Sequence, residues 1–269
     1  MLIRSIRLSV LGLLLAVALV GGPRAPRVDH AGWNALLSEF VNEKYLVDYA
    51  GLKKRGMSRL NAYVNGLSEA GVEVVSADER KATLINAYNA LTIRWLVENY
   101  PTRSIQSTPN PFRERRHTLG GASVSLDEIE QSLRQTDDPR IHSVLVCASL
   151  SCPPLRREAY VGSRIDKQLD ENTREWLANA ELNRFDPRSA QAEVSSIFSW
   201  YEEDFAAYPG GLEGFLRRYG PQETMAALGN KRLRISFLSY HWGINDQSDV
   251  GKGYSFFELA IDWVKGWFR

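Results

Sequence analysis

Apolar residues return every three or four positions along most of this chain and alternate with polar ones in only a few short pieces. Trp33, Leu36, Leu37 and Phe40 share a helical face over residues 29–40, with Asp29 as the cap. Leu60, Tyr63, Val64 and Leu67 do the same for a second helix over 52–67. The strongest helix signal runs from Ser76 to Tyr100. Ser76-Ala77-Asp78-Glu79 has the spacing of a capping box, Leu84, Ala87, Tyr88, Leu91, Trp95 and Leu96 form the stripe, and Pro101 stops it. A helix over 125–133 opens on the same box, Ser125-Leu126-Asp127-Glu128, and another over 163–180 runs through Ile165, Leu169, Trp176 and Leu177. Shorter helices are predicted over 201–207, 212–219 and 222–228.

Extended structure is predicted in few places. Residues 118–124 read as a hairpin turned at Gly120-Gly121, and 183–186 pairs antiparallel with 192–200 through Pro187, with Val194 and Ile197 facing inward. Residues 232–239 alternate as a last strand. The run Ile141 to Cys147, rich in apolar side chains and bounded by turn signals, reads as a strand covered on both faces. On such a strand Ile141, Ser143, Leu145 and Cys147 share one face and His142, Val144 and Val146 the other. Five extended steps then hold His142 roughly 16 Å from Cys147. The pattern as a whole predicts an α+β fold: a single domain with helices packed around a small, mostly antiparallel sheet.

Composition sets the compartment. Met1–Gly22 places Arg4 and Arg7 before an apolar run from Leu8 to Val20, the layout of a signal peptide or an N-terminal anchor. Residues 23–28 follow as a linker, 29–245 as the domain, and 246–269 as a C-terminal amphipathic helix dense in aromatic residues, expected to pack back on the domain. The protein is therefore expected to be exported, periplasmic or secreted, with any membrane contact through the N-terminal segment alone. Taking Arg4 and Arg7 from a net charge of +1 leaves −1, and no basic patch is interleaved with aromatics, so nucleic acid is not an expected partner.

The chain has two cysteines and four histidines. Cys147 and Cys152 flank Ala148 to Ser151, so a four-residue reversal brings their sulfurs within bridging reach. One reading is a structural pair, which an oxidising compartment permits. The other is a reactive thiolate at the end of a structural element. His142 with two cysteines lacks a fourth ligand, so no metal site is expected, and no cofactor motif is present. Asn86 and Asn89 lie three apart in the middle of the strongest helix, where an amide is unfavourable unless it is paired. They read either as ties between the helix and a loop or as amides that position a substrate.

Several stretches together resemble the domain of unknown function 547 family. They are Val47-Asp48-Tyr49, Asn86-Ala87-Tyr88-Asn89-Ala90, Ser125 to Glu130, Asp138-Pro139-Arg140-Ile141-His142, Cys147-Ala148-Ser149 with Cys152-Pro153, and Tyr240 to Asn245. The family usually has an aspartate where this chain has His241 and a serine-leucine where it has Gly243-Ile244. The resemblance implies a shared domain and carries no reaction with it.

The residues themselves point to a thiol-dependent hydrolase or transferase acting on an amide or ester of a small-molecule or peptide-like substrate. Cys147 is its expected nucleophile, His142 or His241 its base, Asn86 a catalytic amide, and Asn89 and Cys152 positioning groups. The alternative is a non-catalytic, envelope-associated binding module with a structural Cys147–Cys152 pair. A redox role for the pair is weaker, since the spacing is not C-x-x-C.

Overall fold

The computed structural model describes residues 28–69 and 75–267. The signal or anchor segment Met1–Gly22 lies outside the described residues, as does most of the linker after it. Among the described residues no helix is long and apolar enough to cross a membrane.

Helix α1 (Ala31–Phe40) buries Trp33, Leu36, Leu37 and Phe40, and Asp29 accepts the Ala31 amide at 2.9 Å. The chain returns through helical turns at Tyr49–Gly51 and Leu52–Gly56 into α2 (Met57–Glu69), whose inner stripe is Leu60, Tyr63, Val64 and Leu67. Helix α3 (Ala77–Asn99) starts where Ser76 accepts the Glu79 amide at 3.2 Å. Every residue from Ala82 to Ile93 is buried, so α3 is enclosed on all sides and serves as the axis of the fold.

A hairpin of β1 (His117–Leu119) and β2 (Ala122–Val124) follows, turned at Gly120 and Gly121, both at positive φ as a two-residue hairpin loop requires. Helix α4 (Leu126–Arg134) opens on a complete capping box between Ser125 and Glu128. After the central loop comes α5 (Ile165–Ala178). A three-stranded sheet is built from β3 (Arg184–Asp186), β4 (Gln191–Val194) and, later, β5 (Arg234–Phe237), with β3–β4 antiparallel and β4–β5 parallel. The fold is α+β, and among the described residues two of the three strand pairings are antiparallel.

The strand predicted over 192–200 ends early. Beyond Val194 the Ser195 hydroxyl accepts the Ile197 amide at 3.3 Å and turns the chain into the short helix α6 (Ile197–Trp200). Helices α7 (Glu202–Ala206), α8 (Gly211–Tyr219) and α9 (Gln222–Leu228) follow, and α10 (Phe256–Trp267) closes the chain. Helix α10 is fastened by Glu258 to Arg103 and by Asp262 to Ser107 at 2.5 Å. Its Phe257 is 73 % exposed, so the expected packing of this helix is partial.

The core has two parts. One gathers α1–α5 and the central loop; the other gathers Trp176, Leu177, β4 and the rings of Phe198, Phe205 and Phe215. His142 stands at the seam, stacked on Tyr201 at 4.0 Å and tilted against Phe205 at 5.4 Å between ring centroids.

Candidate functional site

The predicted strand 141–147 does not form. Asp138 accepts the Arg140 amide at 3.2 Å, Pro139 occupies the first helical position, and Pro139–Ser143 is a 3-10 turn. The segment is buried on both sides as expected, yet among the described residues no strand pairs with it. Asn89 reaches both the Val144 carbonyl and the Val146 amide at 2.9 Å, and Asn172 of α5 donates to the Ser143 carbonyl. Amide side chains thus take the place of a sheet ladder, satisfying backbone groups that burial would otherwise leave unpaired. Arg140 ties the turn outward through Asp138 at 2.9 Å and Asp166 at 2.8 Å, and Lys81 of α3 reaches Asp138 at 3.0 Å.

Without the strand, the 16 Å separation has no basis. His142 and Cys147 line one cavity of about 300 Å³, together with Gln106, Asp127, Glu130 and the rings of Trp200, Tyr201, Tyr240 and Trp242. Cys147 is half-buried there; Cys152 is buried behind it. The chain reverses at Ala148, which holds φ +62° although it is not glycine. Such backbone strain is kept only where the surroundings enforce it. Here the Ala148 carbonyl accepts the Asn245 amide at 3.1 Å, and Leu150 donates to the Gly243 carbonyl at 2.7 Å. The Asn245 side chain in turn accepts from the Tyr49 hydroxyl at 2.8 Å, so segments far apart in sequence meet behind the two sulfurs.

Both cysteines are free thiols, their sulfurs 2.7 Å apart. Tyr240 places its hydroxyl 3.1 Å from the Cys147 sulfur and 3.3 Å from that of Cys152. Ser149 donates its own hydroxyl proton to Tyr240 at 2.8 Å, which leaves the tyrosine proton free to point at sulfur. The Ser149 amide also donates to Cys152, at 3.4 Å. Burial opposes a charge on Cys152, but the hydrogen bonds from Cys147, Ser149 and Tyr240 outweigh it and bring that thiol down to about 7. The hydrogen bond to Cys152, with burial second, pushes Cys147 well above the usual thiol value. The two sulfurs behave as one acid that loses its first proton near neutrality and holds the second.

Across the cavity, His142 is bonded through Nε2 to Asp204 at 2.7 Å. Burial lowers this imidazole to about 4 despite the carboxylate, so the ring is neutral at pH 7. In the neutral ring, Nε2 carries the proton toward Asp204 and Nδ1 is the acceptor. Asp204 is itself held by Arg134 through two bonds of 2.7 and 2.8 Å, which keep it below the usual carboxylate range. Glu130 accepts from the Tyr201 hydroxyl, and burial raises its carboxyl.

The sequence-predicted residues therefore separate. Cys147, Cys152 and His142 come together around this cavity. His241 faces a neighbouring one beside Tyr254 and Leu259, and its Nδ1 accepts the Gly243 amide at 3.1 Å. Asn86 binds the backbone of Tyr160, donating to its carbonyl at 2.7 Å and accepting its amide at 3.0 Å. Asn89 fixes the loop that leads to Cys147. Tyr240 and Ser149 lay inside stretches that carry the family resemblance, so a signal for them existed. Glu130 ends another of those stretches, whereas Asp204 had no signal, since acidic residues near helix ends are ordinary.

The family model described as "Protein of unknown function, DUF547" matches residues 72–177. That span includes Asn86, Asn89, His142 and both cysteines and ends before Asp204 and Tyr240. No curated protein and no solved structure matches the chain.

Proposed function

We propose that the protein, whose residues 72–177 match a family model with no assigned function, is a thiol-dependent acyl hydrolase or transferase centred on Cys147. The observation that carries this reading is the half-buried Cys147 sulfur, in contact with Cys152 and opening on the cavity that also holds the His142–Asp204 pair. Near pH 7 the pair holds one proton between two sulfurs. As Cys147 attacks an acyl carbon, its proton passes to the Cys152 thiolate, so Cys147 needs no low pKa of its own. Protonated Cys152 then returns that proton to the leaving amine or alcohol. Neutral His142, oriented by Asp204, accepts a proton from the water or acceptor nucleophile that releases the acyl group and passes it to the Cys147 sulfur as that leaves, which restores the starting state. Gln106, on the cavity wall, supplies an amide for the carbonyl oxygen. Export remains part of the proposal, supported by the composition of Met1–Gly22.

The test is the pH dependence of Cys147 alkylation by iodoacetamide, read out by peptide mass mapping. The rate is expected to rise through a midpoint near 7, and Cys152→Ser to move that midpoint up into the range of an isolated buried thiol. A wild-type rate that rises only above pH 9 would remove the shared-proton nucleophile and leave a binding module. With activated ester or thioester substrates, Cys147→Ser is expected to lose about 10³-fold or more in turnover.

A further inference from the structure

The wall of the cavity beside the sulfur is aromatic. Tyr240, whose hydroxyl touches Cys147, has its ring 4.6 Å from Trp200 and 4.7 Å from Trp242, tilted by 50° and 54°. Trp200 and Trp242 lie 5.7 Å apart and nearly parallel. Trp200 is 49 % exposed, a large ring left open to solvent on the cavity instead of packed in a core.

Asp127 and Glu130 line the same cavity, and neither lysine nor arginine is among the residues described as lining it. The Arg134 guanidinium nearby is engaged by Asp204, and Arg113 lies 3.7 Å from Asp127 where both are solvent-exposed and screened. Aromatic faces carry negative charge density, so π surfaces beside carboxyl groups favour an organic cation. A sugar ring could stack on the same tryptophans but would draw nothing from the carboxylate charge.

We propose that the acyl substrate of Cys147 carries an ammonium group, as on a lysine side chain, seated in the corner of Trp200, Tyr240 and Trp242 with Glu130 as its counter-charge. This rests on the reading of Cys147 as a nucleophile. In covalent terms the probe reaction is simple: the Cys147 sulfur displaces iodide from an iodoacetyl carbon, forming a thioether and releasing iodide and a proton.

The full chain is treated with iodoacetamide, with iodoacetate, and with an iodoacetamide bearing a trimethylammonioethyl group on nitrogen. Each rate at Cys147 is divided by that of free cysteine under the same conditions. The cationic reagent is expected to be favoured over the neutral one by about tenfold, and the anionic reagent to fall below both. Trp200→Ala and Glu130→Gln are each expected to bring the cation-to-neutral ratio toward one. Taking the ratio within each variant cancels any general change in thiol reactivity. Equal normalised rates for the three reagents in the wild type would overturn the cation site while leaving the nucleophile standing. No adduct at Cys147 with any reagent would overturn the nucleophile, and the cation site with it.

Discussion

Asn89→Ala is expected to destabilise the fold by about 4 kcal/mol and to slow alkylation of Cys147 in the protein that remains folded. The Asn89 amide is 2 % exposed and spans the Val144 carbonyl and the Val146 amide, both also buried. Removing it strands two backbone groups in the core, each costing roughly 1–3 kcal/mol, and opens a small cavity besides. Asn86→Ala strands the amide and carbonyl of Tyr160 in the same way and is expected to cost a similar amount. The two variants differ in their effect on the thiol. Only Asn89 holds the segment that delivers Cys147 to its cavity, so only Asn89→Ala is expected to alter thiol reactivity under conditions where the protein is still folded. Urea unfolding gives the stabilities, and iodoacetamide kinetics in native buffer gives the second effect. Identical Cys147 kinetics in both variants would show that the loop keeps its course without the amide.

The second large effect is acid sensitivity. His142 and His117 are both buried, and burial lowers each to about 4 from an ordinary 6.5. His117 also faces Arg116 and Arg94, and its Nε2 has no hydrogen-bond partner among the described residues. Between pH 6.5 and 4 the unfolded chain binds protons at these rings that the folded chain refuses. The stabilisation is therefore complete above pH 6.5 and is lost as the pH falls toward 4, by roughly 2–3 kcal/mol for each ring at pH 4.5. His30 is lowered by burial as well and acts in the same direction. Glu130 and Asp127, raised by burial, act oppositely as the pH falls through the carboxylate range. His117→Phe keeps an aromatic ring of similar bulk and removes one titration, so it isolates a single contribution. Denaturant midpoints at pH 7 and pH 4.5 are expected to differ less in this variant than in the wild type. An unchanged difference would mean that His117 binds protons as readily in the folded protein as in the unfolded chain.

The helices were legible because each carries its own evidence. Ser125 and Glu128 close a capping box, and Pro101 ends the long helix one residue beyond its capping Tyr100. Trp33, Leu36, Leu37 and Phe40 repeat on one face. The hairpin at Gly120-Gly121 was legible for the same reason, since two positive-φ residues between short extended runs specify it locally. The central loop was not. An apolar run covered on both sides looks the same in sequence whether strands or side chains meet its backbone, and here Asn89 and Asn172 meet it from two helices.

The site divides along the same line. The sequence alone determined that two thiols five positions apart stand beside a sharp turn, that two amides sit in the axis helix, and that His142 is close in the chain. Tertiary structure decided that Tyr240 and Ser149 complete the hydrogen bonds of the sulfurs, that His142 turns to Asp204, and that His241 faces elsewhere. The physical reason is range. Caps, turns and amphipathic stripes are set by interactions within a few residues, whereas the charge state of a buried thiol or imidazole is set by whichever groups the packed core brings within about 3 Å of it.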